Sequence, residues 1–131
     1  MLIDASALCG ILAREPDAAE LLARTIESER RTTSPTAVWE CAVALPRILE
    51  QPPGMSYAMT TAFLTRYNIE IVPVPAEAAA LAVDAYARFG KGRHPAGLNF
   101  GDCFAYACAR HLGVPLLYKG DDFALTDIDT V

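Results

Sequence analysis

Apolar residues along the chain fall into short β-like runs that alternate with longer stretches at helical spacing. The first run, Met1–Ile3, is followed by apolar residues three and four positions apart from Ala7 to Leu12, a spacing typical of a helix. These patterns predict strands around residues 1–3, 32–33, 69–74 and 115–118. They predict helices around residues 7–12, 18–26, 35–50, 56–67 and 76–89, and a last helix that starts at Asn99 or Gly101 and runs to residue 111.

Capping and breaking residues set the predicted ends of these helices. Asp17 and the Ser34–Pro35 pair are start signals, because Asp and Ser accept hydrogen bonds from free backbone N–H groups and proline is preset for the first turn. Pro46 is expected to kink or shorten its helix, because a proline inside a helix removes one hydrogen bond. The Pro52–Gly54 segment is expected to end that helix, and Gly113 to cap the last one.

Short strands that alternate with helices indicate an α/β fold with a mainly parallel sheet flanked by helices. A length of 131 residues fits a single domain over 1–131, since domains usually contain about 100–150 residues. No apolar run approaches the ~20 residues needed to cross a bilayer, and Asp4 stands where a secretory signal would carry a basic residue. We therefore expect a cytoplasmic protein with no membrane segment.

Composition and charge narrow the classes of function. Hydrophobic residues make up 53% of the chain, which excludes intrinsic disorder. The net charge of −5 excludes a protein that coats nucleic acid nonspecifically, so any contact with nucleic acid must be local. The four cysteines form no C-x-x-C pair and stand among apolar residues, which favours reduced, buried thiols over disulfides or a zinc site.

Acidic residues stand where ligands bind in a parallel α/β sheet, beyond the carboxyl ends of the strands. Asp4 ends the first strand, and Glu40 lies one turn into the third helix. Asp102 lies in the first turn of the last helix, and Asp121 and Asp122 follow the last strand. Each acid alone has an ordinary explanation as a helix cap, a turn residue or a solvated helix position. Glu40 and Asp102, however, have apolar neighbours, among which an unpaired carboxylate is costly.

Carboxylates gathered at one sheet edge cannot all stay ionised without a counterion. Four of them, with six pairs near ~6 Å at an effective dielectric of about 20, repel by ~17 kcal/mol in total. That sum matches or exceeds the ~5–15 kcal/mol stability of a whole domain, so the cluster must take up protons or bind a divalent cation. Oxygen ligands select Mg²⁺, with Mn²⁺ as the alternative, over zinc. Such an ion hydrolyses phosphodiesters by generating hydroxide and stabilising charge on the phosphate.

Four parts of the chain together resemble the PIN-domain ribonucleases, specifically the VapC toxins of bacterial toxin–antitoxin pairs. They are Leu2–Leu8 (LIDASAL), Glu40, Asn99–Ala107 (NFGDCFAYA) and Leu116–Phe123 (LLYKGDDF). The match covers the whole chain in order, length and spacing. The resemblance implies a PIN-like three-layer fold and a metal-dependent endoribonuclease that cleaves RNA when its VapB-type antitoxin is absent.

The resemblance also implies roles for single residues. The family's acidic residues, which bind the metal and carry catalysis, correspond to Asp4, Glu40, Asp102 and Asp121. Asp122 is the reserve for the fourth position, and Ser6 corresponds to a small hydroxyl residue that we place among the substrate-binding groups.

A positive loop supplies candidate contacts to RNA phosphates. Lys91, Arg93 and His94 lie between the predicted fifth helix and the helix that carries Asp102, so we expect them at the mouth of the acidic pocket. The alternative is an ordinary solvated loop. Lys119 is a further candidate for contact with the substrate.

Partners and one competing function complete the expectations. Exposed apolar residues on the helical pair between Trp39 and Tyr67 would suit a homodimer or the antitoxin.

The competing function is a non-catalytic module, receiver-like or a degenerate PIN domain, that uses the acidic pocket only to hold metal. A receiver usually pairs two acids after its first strand, whereas this chain has Asp4 alone there.

Overall fold

The computed structural model describes residues 1–131, which form six α-helices around a four-stranded sheet. The strands are β1 (Leu2–Ile3), β2 (Thr32–Thr33), β3 (Glu70–Ile71) and β4 (Leu116–Leu117). The helices are α1 (Ala5–Leu12), α2 (Ala18–Glu27), α3 (Pro35–Leu49), α4 (Pro53–Arg66), α5 (Ala78–Phe89) and α6 (Phe100–Leu112). A short 3₁₀ turn, Phe123–Leu125, follows β4. No helix is both long and apolar enough to cross a membrane.

The sheet is parallel throughout, with the strand order β3-β2-β1-β4. Leu2 in the central strand β1 pairs with Thr32 on one side and with Leu116 on the other. All four carboxyl ends therefore lie at one edge, and the segments that follow the strands meet there. The predicted α/β class with a parallel sheet and flanking helices is confirmed.

Both faces of the sheet are covered by helices, which makes three layers. Leu2 and Leu116 pack into a core with α5 and α6, whereas Ile3 and Leu117 pack into a second core with α1, α3 and α4. Successive side chains of a strand point to opposite faces, so a strand buried on both sides consists entirely of apolar residues. This explains why β1 and β4 carry no polar residue.

Proline and capping residues set the helix ends, in part differently from the prediction. Ser34 accepts a hydrogen bond from the Ala37 N–H at 3.1 Å, and α3 begins at Pro35 as expected. Helix α4 begins at Pro53 rather than near residue 56, because a proline in the first turn loses no intrahelical hydrogen bond. Pro46 does not interrupt α3, which continues to Leu49. Asp17 makes no side-chain capping bond to α2.

Candidate active site

Asp4 lies directly after β1 and is the N-cap of α1. Its Oδ2 accepts hydrogen bonds from the Ser6 N–H at 2.9 Å and from the Ser6 hydroxyl at 2.6 Å. The Ser6 oxygen in turn accepts a bond from the backbone N–H of Lys119, at 3.0 Å, just after β4. The Asp4 carboxyl is thereby fixed at the sheet edge, although the residue is only 5% exposed. The Asp4 side chain therefore both caps α1 and lines the cleft.

Glu40 lies on α3 and reaches the beginning of α6 at Gly101. A Cβ atom at position 101 would lie 2.4 Å from one Glu40 carboxyl oxygen and 2.6 Å from the other. Real Cβ atoms do not come so close to another heavy atom, so a larger residue at position 101 would force the Glu40 carboxyl group to shift. The glycine in the Phe100–Asp102 segment is therefore part of what positions Glu40.

Asp102 is held by a capping box at the N-terminus of α6. Its Oδ2 accepts a hydrogen bond from the Asn99 N–H at 2.8 Å, and the Asn99 side-chain oxygen accepts one from the Asp102 N–H at 3.1 Å. These bonds satisfy two backbone donors that the helix leaves free and fix the carboxyl group at the helix start. The Asn99-x-x-Asp102 spacing is a capping signal that the sequence reasoning did not use.

Asp122, and not Asp121, lies on the same cavity as the other acids. The chain turns at Gly120, which has a φ of 97° that favours glycine, and enters the 3₁₀ turn after Asp122. Asp121 is not among the residues that line this cavity, and its charge contributes to raising the pKa of Tyr118. The structure thus brings the reserve residue into the cluster and leaves the preferred one outside it.

The acidic residues line a cleft of about 330 Å³ at the carboxyl edge of the sheet. Its walls are formed by Asp4, Ala5, Ser6, Cys9, Glu40, Ala44, Asn99, Asp102 and Asp122. Four carboxyl groups from four separate parts of the chain therefore line one cleft, with Asp122 as the fourth rather than the predicted Asp121. Cys9 and Asn99 are wall residues that the sequence reasoning missed, since neither belongs to the acidic pattern.

Burial and mutual repulsion raise the pKa of three of these carboxyl groups. Desolvation is the main cause for Glu40, and the charges of Asp4 and Asp102 add to it, so that its pKa rises to about 7. The pKa of Asp4 is raised by burial against the opposing effect of the Ser6 hydrogen bonds, and Asp122 adds repulsion. Burial also raises the pKa of Asp102. Positive charge in the cleft would therefore lower the electrostatic free energy of the ionised carboxylates.

The donor chemistry of the cleft fits a hard divalent cation. Its polar wall atoms are almost all oxygens, the ligands that Mg²⁺ and Mn²⁺ prefer. No three His, Cys, Asp or Glu side chains come close enough together to form a complete ligand set. That spacing suits an ion that keeps several waters and takes only one or two carboxylates directly, as Mg²⁺ does.

The predicted basic contacts lie outside the cleft wall. Lys91 and Arg93 are exposed, and the Arg93 guanidinium lies 5.3 Å from the centre of the Tyr86 ring. His94 is half-buried against Phe89 and accepts a hydrogen bond from a backbone N–H. These residues occupy the loop that leads into α6, and their contact with a substrate stays a prediction.

The Lys119 ammonium group is paired with protein acids. It forms ion pairs with Glu15 and with Asp17, the latter at 3.3 Å. Asp17 has φ −93° and ψ 3° rather than the extended backbone of the residues that cap α1, α3 and α6. The Lys119 ammonium group is therefore engaged by two carboxylates, and its contact with a substrate stays a prediction.

Comparisons with known proteins agree with this geometry. The family profile described as PIN domain matches residues 1–129. A "Ribonuclease VapC" of Mycolicibacterium smegmatis is 44% identical, with 100% of this chain and 99% of that protein aligned. "Ribonuclease VapC30" of Mycobacterium tuberculosis is 42% identical over 100% of this chain and 98% of its own length. A "VapC ribonuclease" of Rhizobium meliloti is 34% identical, with 96% and 97% aligned.

A solved structure shares the fold at low sequence identity. The crystal structure of Mycobacterium tuberculosis VapC20, described as a Sarcin-Ricin loop cleaving toxin, superposes with a TM-score of 0.76 at 16% identity. The superposition covers 99% of this chain and 97% of VapC20. The helices, the parallel sheet and the full-length relatives all agree. This chain belongs to the PIN-domain family, among the VapC ribonucleases.

Proposed function

We propose that the protein is the toxin of a toxin–antitoxin pair, an endoribonuclease that hydrolyses RNA phosphodiester bonds at the acidic cleft with a divalent metal ion. The observation that carries this proposal is the meeting of Asp4, Glu40, Asp102 and Asp122 on one cleft. The raised pKa values of three of them mean that the cleft gains free energy when positive charge enters it. Family membership supplies the reaction class.

The metal that suits the cleft best is Mg²⁺, with Mn²⁺ as its substitute. Asp4, Glu40, Asp102 and Asp122 would hold it, directly or through its water ligands. When bound, such an ion supplies a hydroxide nucleophile at neutral pH and stabilises the negative charge that develops on the phosphate.

The chain's own groups position the reacting atoms. Ser6 holds Asp4 through two hydrogen bonds, and Asn99 holds Asp102, so both carboxyls are preorganised for their ligand. Burial and the charges of Asp4 and Asp102 raise the pKa of Glu40 to about 7 in the protein without metal, so a cation that enters the cleft favours loss of this proton. We assign Asp4, Glu40 and Asp102 to metal binding.

For the fourth acid we favour Asp122 over Asp121. Asp122 is on the wall of the cleft, and its charge contributes to the raised pKa of both Asp4 and Asp102. Asp121 contributes to neither. The two residues are adjacent and both are exposed, so each is the matched control for the other.

We propose that RNA approaches over the loop that carries Lys91, Arg93 and His94 and reaches Ser6 on the wall of the cleft. Lys91 and Arg93 are exposed and make no ion pair, so their charges are available to phosphates. By contrast, Arg110 is held by Asp127 at 2.8 Å, as Lys119 is by its own acids. The loop is therefore the better candidate for the path of the substrate.

We propose two protein partners, a second copy of this chain and a VapB-type antitoxin. A groove of about 430 Å³ between α5 and α6 has an entirely apolar wall: Ala79, Ala82, Val83, Tyr86, Phe100, Cys103 and Phe104. Val83 is 70% exposed and Phe100 is 73% exposed, which is unfavourable unless another surface covers them. We assign this groove to the homodimer. A Val83→Lys variant should then be monomeric in light scattering while the wild type is dimeric.

The α3–α4 pair carries a second set of exposed apolar residues. They are Trp39, Val43, Ile48, Met55 and Tyr57. We assign this surface to the antitoxin, and co-purification of an antitoxin with wild type but not with a Tyr57→Lys variant tests the assignment.

A nuclease assay on purified protein tests the catalytic proposal. Cleavage of a mixed RNA pool in Mg²⁺ or Mn²⁺ should disappear with EDTA and with Asp4→Asn, Glu40→Gln or Asp102→Asn. Asp122→Asn should lose most of the activity, whereas Asp121→Asn should keep it. Circular dichroism establishes that each variant is folded. Full cleavage by folded Asp102→Asn would refute the mechanism. If Asp121→Asn loses the activity and Asp122→Asn keeps it, the fourth acid is Asp121.

A further inference from the structure

Two cysteines meet beside the acidic cleft without being bonded to each other. Cys9 on α1 and Cys41 on α3 have their Sγ atoms 3.1 Å apart, and both are free thiols. A disulfide requires about 2.05 Å, so a closure of roughly 1 Å separates this pair from a covalent bond. The other two cysteines, Cys103 and Cys108, are buried in α6.

The two thiols differ in access, which suits them for different steps of an oxidation. Cys9 is half-buried and lines the wall of the cleft, so a small oxidant that enters the cleft reaches it. Cys41 is fully buried, and its thiol is in contact with the Ala5 carbonyl oxygen at 3.5 Å. Cys41 can therefore react with Cys9 but is shielded from the solvent.

We propose that Cys9 and Cys41 are a redox modification site that forms a reversible disulfide when the protein meets a hydroperoxide. Cys9 takes one oxygen from the hydroperoxide and becomes a sulfenic acid, and the corresponding alcohol, or water from hydrogen peroxide, is released. The Cys41 sulfur then displaces the hydroxyl group from Cys9, and this group leaves as water with the Cys41 thiol proton. The peroxide is reduced by two electrons, and two thiols become one disulfide.

The bond would change the spacing of two carboxylates of the cleft. Asp4 caps the helix that carries Cys9, and Glu40 directly precedes Cys41 on the other helix. Closing the gap of about 1 Å requires rotation of the two side chains or a shift of α1 against α3. A shift of the helices would move both acids and disturb metal binding. This consequence rests on the proposed nuclease function, whereas the formation of the disulfide does not.

The test treats the full-length protein with hydrogen peroxide and maps the disulfides by mass spectrometry without reduction. We expect a peptide pair cross-linked through Cys9 and Cys41 that disappears with dithiothreitol, in the wild type and in the Cys108→Ala control. It should be absent from Cys9→Ser and from Cys41→Ala. If Cys41→Ala fails to fold, Cys9→Ser alone serves as the test. If both thiols are still alkylated when the peroxide-treated protein is denatured, or if Cys9 oxidises further without a cross-link, the proposal is overturned.

Metal-dependent cleavage measures the consequence for the cleft. Oxidation should lower the activity of the wild type by about tenfold, with recovery on reduction, while each cysteine variant is compared with its own reduced form. Unchanged cleavage by protein that carries the disulfide would show that the bond does not disturb the carboxylates of the cleft. If the reduced protein cleaves no RNA at all, the proposed function fails, and the peptide map still decides the thiol proposal.

Discussion

Replacing Glu40 by glutamine should stabilise the metal-free protein at alkaline pH and leave it almost unchanged at acidic pH. The folded protein raises the pKa of Glu40 from 4.5 to about 7. An unfolded chain thus releases this proton near pH 4.5, whereas the folded chain keeps it until about pH 7. Between these values the folded state binds more protons, so the free energy of unfolding falls as the pH rises.

The size of the effect follows from the pKa difference. A rise from 4.5 to about 7 corresponds to about 3 kcal/mol at a pH above both values. Because Glu40 is half-buried and solvent screens part of this interaction, we expect about 2 kcal/mol. Glutamine has the same shape without the charge. At pH 8 the Glu40→Gln variant should therefore gain about 2 kcal/mol, or roughly 6–8 °C in Tm for a chain of this size.

Urea unfolding followed by circular dichroism, in EDTA at pH 4.5 and at pH 8, measures both ends of this range. The wild type should lose stability between them more steeply than Glu40→Gln, whose remaining slope includes Asp4 and Asp102. Glu29→Gln, which neutralises an exposed glutamate outside the cleft, should change little at either pH. An equal gain for Glu40→Gln at both pH values, or no gain at pH 8, would refute the account of a repelled, desolvated carboxylate.

Three further predictions concern the metal, the helix contact and the substrate. Mg²⁺ or Mn²⁺ at about 100 times its Kd should stabilise the wild type by ~2.7 kcal/mol in thermal unfolding, and Asp102→Asn should respond less; an equal response would place the ion elsewhere. Gly101→Ala should reduce RNA cleavage with its circular dichroism spectrum retained, because the new Cβ would force the Glu40 carboxyl group to shift; full activity would show that Glu40 tolerates this displacement. Lys91→Ala combined with Arg93→Ala, in a Glu40→Gln background that does not cleave, should reduce the salt dependence of RNA binding by about 0.7 per lost phosphate contact; an unchanged slope would mean that the loop is only solvated surface.

The fold was predictable because its strands are buried on both sides and its helices carry clear start signals. Leu2–Ile3 and Leu116–Leu117 are short apolar runs, and covering helices on both faces account for them. Ser34–Pro35 begins α3 as predicted. The pattern predicts Pro53 as part of a helix stop, whereas it begins α4. Proline is found both after the end of one helix and in the first turn of the next, and the neighbouring residues do not distinguish the two positions.

The acidic cleft was predictable in outline and not in detail. The strand ends and the sheet topology bring Asp4 and Asp102 to one edge, and the PIN-domain comparison confirms the family that the motifs indicated. The choice between Asp121 and Asp122 depends on the turn at Gly120, whose backbone angles the sequence does not specify. The ion pair between Lys119 and Glu15, which are 104 residues apart, is likewise a tertiary contact that no local sequence pattern predicts.

The capping box at Asn99 and Asp102 couples the start of a helix to the contents of the cleft. One carboxyl group holds the backbone N–H of Asn99 and also faces the other acids, so whatever changes its charge also changes how firmly the first turn of α6 is closed. Hydrogen exchange at the backbone amides of Asn99 and Asp102 therefore depends on what occupies the cleft. Divalent metal should slow or quicken their exchange while the amides in the middle of α6 keep theirs, which gives a site-resolved measure of occupancy that requires no substrate.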